Sequence, residues 1–205
     1  MEQPKKTKGE LTALRILDAA EDLFATQGYE GTSLRQIAEQ TGIKEPGLYN
    51  HFPGKKALYE AVLHRALNPM VVVLTGRLQQ ASGLRDYTDL PSIMTDLLLE
   101  HPQIAALFQQ ALQGDRDSIG NQLLHDWLHQ LFGQGIQSMV EMGPSAEQDE
   151  ASLAINVLAI LNIITGYFLS QRAFETMATG DLKSPENIAR QKRLLHRIIR
   201  AMLIS

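Results

Sequence analysis

Residues 33–58, SLRQIAEQTGIKEPGLYNHFPGKKAL, decide the fold of this chain. Ser33 is followed three positions later by Gln36, a pattern that caps the start of a helix. We expect this helix to stop at Gly42, because glycine tolerates the left-handed backbone conformation found at helix ends. A second helix is predicted from Pro46, where the missing N–H costs nothing, and it ends by Pro53. The stretch therefore predicts two short helices joined by a tight turn.

The apolar residues of this stretch lie on one side of each predicted helix. We expect the inward set to be Leu34, Ile37, Ala38, Ile43 and Leu48. The outward set on the second helix is Lys44, Glu45, Gly47, Asn50 and His51. This division is typical of a helix-turn-helix, whose second helix enters the major groove of DNA. Because two short helices around a glycine also occur in proteins that never contact DNA, the spacing alone leaves a structural role open.

Two kinds of side chain in and around the turn suit contact with duplex DNA. Phosphate oxygens can be bound by Ser33, Tyr49, His51 and Lys55. Base edges can be read by Arg35 toward guanine, Glu45 toward cytosine and Asn50 toward adenine, with Pro46 and Gly47 permitting close approach. The alternative interpretation is ordinary surface chemistry, in which Tyr49 packs on Phe52 and Arg35 is a solvated charge.

Helix signals continue along the chain, and no alternating run of β-branched residues predicts a strand. Thr7 and Glu10 form a capping box for a first helix that ends at Gly28. Further helices are predicted over residues 55–80, 91–100, 102–113, 118–142, 147–178 and 186–204, with Ser145 and Ser184 near the last two starts. The predicted fold class is all-α, with an N-terminal helix-turn-helix domain (residues 1–54) joined by a long helix to a larger helical domain (residues 55–205).

Composition limits the chemistry that the chain can perform. It has 205 residues, 44% hydrophobic and 20% charged, and no cysteine, which excludes disulfides and thiolate chemistry. No catalytic motif is present, so we expect neither an enzyme nor a metal or cofactor; His125 and His129 lie four apart without a carboxylate to complete a metal site. The net charge is −4, so a DNA-binding surface must be a local patch.

Two segments bear on location. The N-terminus has no apolar stretch typical of a secretory signal, which favours a cytoplasmic protein. Residues 153–169 are almost entirely apolar but shorter than the about 20 residues that span a bilayer. We interpret them as a helix between the core and a partner subunit, and we expect no membrane partner.

The string Gly-x-x-x-x-Gly-Leu-Tyr-x-His-Phe-x-x-Lys-x-x-Leu, from position 42 to 58, resembles the signature of TetR-family transcriptional regulators. The upstream pattern from Ile16 to Ser33 is similar to the first helix and turn of the same family, so the resemblance covers about residues 10–65. It implies the same phosphate contacts (Ser33, Tyr49, His51, Lys55) and base-reading positions (Arg35, Glu45, Pro46, Gly47, with Asn50 beside them). Family members commonly have a small hydroxyl residue near Gly47, and its absence here leaves the operator sequence undetermined.

The resemblance also implies that the larger domain forms a homodimer and holds a small-molecule pocket. The dimer interface is predicted at Leu195, Ile198, Ile199 and Met202 of the last helix, with a helix in the interior of one subunit as the alternative. Pocket candidates are Phe108, Trp127, Leu131, Phe132, Met139, Asn162 and Tyr167. The predicted function is a repressor that binds a palindromic operator in double-stranded DNA and is released by a small, largely apolar ligand. A DNA-binding dimer without an effector is the alternative, and an all-α enzyme is a remote one.

Overall fold

The computed structural model describes residues 6–80, 88–113, 115, 117–129 and 149–204. The helices in this part of the chain are α1 (Lys8–Gly31), α2 (Leu34–Thr41), α3 (Glu45–Leu48), α4 (Lys55–Gln80), α5 (Leu90–Glu100), α6 (Gln103–Gln113), α7 (Ile119–Leu128), α8 (Glu150–Leu169), α9 (Gln171–Met177) and α10 (Pro185–Ile204). These described residues form no strand, so the all-α prediction is confirmed. Helices α1, α5, α6 and α7 pack on the long helix α4, α2 packs on α1 and α3, and α8 and α10 pack on the outer helices, α8 on α5 and α6 and α10 on α5.

Local capping explains where the N-terminal helices begin and end. The backbone N–H of Glu10 donates to the Thr7 hydroxyl at 3.2 Å, and the Glu10 carboxylate accepts from the Thr7 N–H at 2.7 Å, so both halves of the predicted capping box are present. Gly28 has φ 75° and ψ 173°, which interrupts the helical backbone inside α1. The predicted end at Gly28 is therefore a kink, after which one short turn leads to Thr32.

The second half of the chain departs from the sequence-based boundaries. The single helix predicted over residues 147–178 is two helices, because Ser170 leaves the helical conformation between α8 and α9. Its hydroxyl donates to the Gly166 carbonyl at 2.6 Å, a local bond that competes with helix continuation. Asp149 caps α8 by accepting from the Ser152 N–H at 2.8 Å, whereas the predicted cap Ser145 lies outside the described residues.

One hydrophobic core runs from the N-terminal helices into the larger domain. The predicted inward residues of the turn belong to it: Ile37, Ala38 and Leu48 are buried, and Leu34 and Ile43 pack against it half-buried. Phe24 on α1 is fully buried among them. Burial of each large side chain of this kind contributes about 1.5–3 kcal/mol, which holds α2 and α3 in one fixed arrangement.

The N-terminal helices contact the larger domain through polar bonds as well as through α4. Arg65 on α4 pairs with Asp18 at 2.7 Å and also with Glu21, both on α1. On α6, Gln103 donates to Asp22 at 3.3 Å and Gln110 donates to the Ala25 carbonyl at 2.8 Å. Helix α1 is thus held from two sides, by α4 and by α6.

Two helices of the described part are long and apolar enough to cross a membrane by length and composition alone, Lys55–Arg77 and Ala151–Leu169. Core helices of globular proteins pass the same test, so this is weak evidence for a membrane. Half of the tested window in the first segment is buried inside the structure, against 28% in the second. Helix α8 therefore leaves much of an apolar surface uncovered within one subunit.

Candidate nucleic-acid interface

Helix α2 begins with a complete capping box. The Gln36 N–H donates to the Ser33 hydroxyl at 3.2 Å, and the Gln36 side chain accepts from both the Ser33 N–H and its hydroxyl at 2.8 Å. Ser33 is exposed, as a phosphate contact requires. Its donor groups already bind Gln36, so a phosphate at this position has to replace or share those bonds.

The turn between α2 and α3 is set by backbone geometry. Gly42 has φ 69° and ψ 28°, the left-handed conformation that side chains disfavour. Its N–H and that of Ile43 both reach back to the Ala38 carbonyl, the Ile43 bond measuring 3.0 Å. A Cβ at Gly42 would meet nothing within 4 Å, so backbone conformation, and not space, requires glycine here.

Helix α3 is shorter than its sequence predicts, because the helical residues are Glu45–Leu48 and hydrogen-bonded turns follow. The N–H groups of His51 and Phe52 both donate to the Leu48 carbonyl at 3.0 Å, so the chain stays compact beyond the helix. The predicted DNA-contacting residues of this segment lie on its accessible side: Pro46, Tyr49 and Asn50 are exposed, and Glu45, Gly47 and His51 are half-buried. Buried Leu48 holds the segment against the core.

Arg35 projects from the first turn of α2 with its side chain 79% exposed. Its Nε donates to the Glu39 carboxylate at 2.9 Å, and this hydrogen bond is the main reason why the pKa of Arg35 is raised. Within the described part of the chain, the two terminal nitrogens of the guanidinium have no protein partner. They form the fork that binds the O6 and N7 atoms of guanine, so Glu39 fixes the side chain without blocking its reading edge.

Lys55 opens α4 with its amine 4.3 Å from the centre of the Tyr29 ring. An amine over an aromatic face is held by a cation–π interaction. Tyr29 belongs to a cluster with Phe24 and Tyr59, and burial raises its pKa. The sequence gives one signal for this contact, an aromatic residue directly after the glycine at position 28.

The predicted pocket residues that the structure describes lie in different surroundings. Phe108 and Trp127 are buried and contact each other edge to face, with ring centres 5.9 Å apart. Asn162 is exposed, and the Tyr167 hydroxyl donates to the Leu182 carbonyl. Leu131, Phe132 and Met139 lie outside the described residues. A cavity of about 10 Å³ between α4, α6 and α7 is lined by Leu63, Ala66, Leu67, Ile104, Leu107, Phe108, Ala111, Gly120 and Leu124. Phe108 is the predicted residue that lines it.

The predicted dimer residues need a correction. Leu195 and Ile199 are buried within one subunit, where α10 packs on α5 and Lys192 pairs with Asp96, which leaves them little surface for a partner. Ile198 and Met202 are half-buried. Among the side chains of α8 and α10 whose burial is described, the large apolar ones that are exposed are Ile155, Leu158 and Leu169 on α8 and Leu194 on α10. We name these four residues the α8–α10 apolar face.

The histidine pair at the C-terminal end of α7 is a surface feature. His125 and His129 stack with ring centres 6.4 Å apart, and the His125 side chain is largely exposed. Across the described residues, no group of three His, Cys, Asp or Glu side chains is placed to hold a metal ion.

The geometry of α1–α3 defines the class of protein. A capped helix, a left-handed glycine turn and a short second helix pack on a supporting helix, with polar side chains on the outer side. This is a helix-turn-helix protein.

Comparison with known proteins identifies the family. Residues 16–62 match the model of bacterial regulatory proteins, tetR family. The uncharacterized HTH-type transcriptional regulator YvkB of Bacillus subtilis is 30% identical over 170 residues, covering 77% of this chain and 82% of YvkB. The chain therefore belongs to the TetR family.

Other matches are narrower in sequence or show the fold alone. The HTH-type transcriptional regulator RutR of Escherichia coli is 34% identical over 93 residues, and the match spans 45% of this chain and only 44% of RutR. The structure of Salmonella enterica GusR superposes with a TM-score of 0.67 at 20% identity, covering 98% of this chain and 100% of GusR. That likeness extends the agreement in fold to the larger helical domain.

Proposed function

We propose that this protein is a sequence-specific, DNA-binding transcriptional regulator that acts as a homodimer on a palindromic operator. The observation that carries this proposal is that buried Leu48 fixes α3 on the core while Arg35 and the outer residues of the α3 segment stay accessible. Phosphate contacts come from Ser33, Tyr49, His51 and Lys55, and base contacts come from Arg35, Glu45, Pro46, Gly47 and Asn50. Phosphate contacts position such a protein, and base contacts give it specificity.

A dimer is supported by the α8–α10 apolar face. Ile155 is 65% exposed on a helix whose mean hydropathy is 1.9, and Leu158 and Leu194 are also exposed in one subunit. A second copy packed on this face by two-fold symmetry would bury these side chains. The symmetry also explains why the operator should be palindromic, with recognition helices about 34–36 Å apart, one turn of B-DNA.

In its more specific form, the proposal is that the protein is a repressor that a bound ligand releases from the operator. An operator-bound dimer blocks access to a promoter, and a ligand in the larger domain would favour a spacing of the two α3 helices that does not fit DNA. The cavity between α4, α6 and α7 has an apolar lining, which suits a small uncharged molecule. A hundredfold loss of DNA affinity requires about 2.7 kcal/mol of coupling.

The second candidate is a DNA-binding dimer without an effector. It is favoured by the size of the cavity, since about 10 Å³ has room for roughly one water molecule. Ligand sites usually measure about 300–1,000 Å³, so an effector has to enlarge this one. A compound that raises the melting temperature yet leaves DNA affinity unchanged supports the second candidate.

The proposed partners follow from this role. They are double-stranded DNA, a second copy of the chain and, for the ligand-responsive form, one unidentified small molecule. A regulator of this kind acts where the chromosome is, which for a bacterial protein is the cytoplasm. The proposal needs no cofactor, catalytic step or membrane.

Selection from random-sequence duplex DNA tests the proposal. The wild-type protein should enrich a palindromic site, and sedimentation at micromolar concentration should show a dimer that binds one duplex. A variant with Arg35, Tyr49 and Lys55 all changed to alanine serves as the control and should enrich nothing. Enrichment of no palindrome by the wild-type protein, or a monomer at these concentrations, contradicts the proposal.

A further inference from the structure

Tyr59 on α4 links the apolar cavity to a residue proposed to contact DNA. Its side chain is buried, and its ring centre lies 4.9 Å from that of Tyr29 and 4.9 Å from that of Phe24. Tyr29 in turn lies under the amine of Lys55, 4.3 Å from the ring centre. The ring of Tyr59 is therefore confined between two aromatic neighbours, one of which holds Lys55.

The hydroxyl end of Tyr59 reaches the start of α7. A Cβ added to Gly120 would lie 2.8 Å from the Tyr59 hydroxyl oxygen and 3.4 Å from its Cε1. Side-chain carbons do not approach other atoms this closely, so the absence of a side chain at Gly120 lets Tyr59 brace α7. Gly120 also lines the cavity, together with Leu63, which lies one turn after Tyr59 on α4. The cavity and the contact of Tyr59 with Gly120 therefore both lie between α4 and α7.

We propose that Tyr59 acts as a strut that transmits a change in the α4–α7 spacing to Tyr29 and Lys55. This inference rests on the proposed function and assigns the regulation of the same cavity. The contact with Gly120 fixes the position of the Tyr59 ring, so a displacement in either direction changes its contacts with Tyr29. A molecule that enlarges the cavity separates Gly120 from Leu63 and lets the ring move toward α7, whereas an added side chain at Gly120 pushes it away from α7. Because the Tyr59 ring contacts Phe24 and Tyr29, with ring centres 4.9 Å apart in both pairs, its displacement shifts Tyr29 and withdraws Lys55 from the phosphate backbone.

Gly120→Ala tests the strut without any ligand. The probe is the duplex that the wild-type protein enriches from random-sequence DNA, and affinity is measured by fluorescence anisotropy. The added methyl group collides with the Tyr59 hydroxyl, so DNA affinity should fall about tenfold, within the usual range of coupling between sites. Gly76→Ala on α4 is the matched control, because its added Cβ meets nothing within 4 Å, and it should bind as the wild type does.

Removal of the hydroxyl gives the decisive comparison. Tyr59→Phe combined with Gly120→Ala should restore affinity to within about twofold of Tyr59→Phe alone, because the colliding oxygen is gone. If Gly120→Ala folds and binds DNA as tightly as the wild type, the strut is wrong. If the double variant binds as weakly as Gly120→Ala, the effect does not pass through the hydroxyl and the strut is also wrong.

The experiment also covers a variant that does not fold and a wild-type protein that does not bind DNA. If Gly120→Ala is unfolded by circular dichroism, Ala111→Val carries the test, since Ala111 lines the same cavity as Gly120 and Leu63 and a larger side chain there separates α7 from α4 as a bound molecule would. It should lower DNA affinity in the same direction, and wild-type affinity in this variant overturns the strut. A wild-type protein that binds no duplex contradicts the proposed function itself, whereas a wild-type protein that binds alongside an unaffected Gly120→Ala contradicts only the strut.

Discussion

The helix-turn-helix unit and helix α8 use apolar residues in opposite ways. In the unit, Ile37 and Leu48 are buried within one subunit and the outer side is polar. Along α8, Leu161 and Ile164 are buried, but Ile155 and Leu158 remain exposed. The first region is complete in one chain, whereas the second has an apolar surface that a second copy can cover. Variants in the two regions should therefore fail differently, by loss of recognition in one and loss of assembly in the other.

The largest effect is expected from Ile155→Asp on the α8–α10 apolar face. A carboxylate buried without a partner in a dimer interface costs several kcal/mol, so dimer affinity should fall at least about a hundredfold. Helical content should stay, because Ile155 is exposed in the single subunit. Sedimentation and circular dichroism measure the two quantities. Val72→Asp, at a 73% exposed position on α4, is the control and should remain dimeric; a dimeric Ile155→Asp variant places the interface elsewhere.

Arg35→Ala should come next, with a loss of roughly 1–3 kcal/mol in specific binding and a relaxed preference at one base position. The guanidinium fork is what distinguishes guanine from other bases. Glu39→Ala should also weaken specific binding, but by less, since it removes only the hydrogen bond that orients Arg35. Binding to matched operators that differ at single positions gives the measurement. Equal losses on specific and nonspecific DNA identify Arg35 as a phosphate contact instead.

Gly42→Ala should destabilise the turn by about 1–2 kcal/mol, because alanine disfavours the left-handed backbone. Gly47→Ala is the matched control within the same motif, since Gly47 has no positive φ and an added Cβ meets nothing within 4 Å. Urea unfolding of both variants compares their stabilities. Equal free energies of unfolding for the two variants mean that the turn can adopt a conformation other than the left-handed one at position 42.

The smallest effects concern the phosphate contacts. Lys55→Ala should reduce the slope of log affinity against log salt concentration by about one, and Tyr49→Phe should weaken binding to all sequences alike. Tyr29→Leu should weaken binding modestly by releasing the Lys55 amine, a contact worth about 0.5–1 kcal/mol. Its effect should largely disappear when Lys55 is already alanine. Full additivity of the two changes shows that Tyr29 does not hold Lys55 for DNA.

Much of the helix-turn-helix could be read from the sequence because its signals are local. The Ser33 cap, the Gly42 turn and the Thr7 capping box each involve residues three or four positions apart, and all three lie where the pattern predicts. The inward set was also readable, since helical periodicity identifies the apolar side. The end of α3 cannot be predicted from the sequence, because the residues in the turns after Leu48 have the spacing of a continuing helix.

Tertiary packing decided the rest, and the reason is geometric. Periodicity shows that α10 has an apolar side, but it does not say which neighbour covers that side, so the burial of Leu195 and Ile199 within one subunit cannot be predicted from it. The approach of Tyr59 to Gly120 joins residues that are distant in sequence, and no local pattern encodes it. What the sequence determined by itself is the set of capped helices and the turn that presents Arg35 and α3. Only the tertiary structure decides which helix surfaces pack together, because the burial of each side chain depends on all of its neighbours at once.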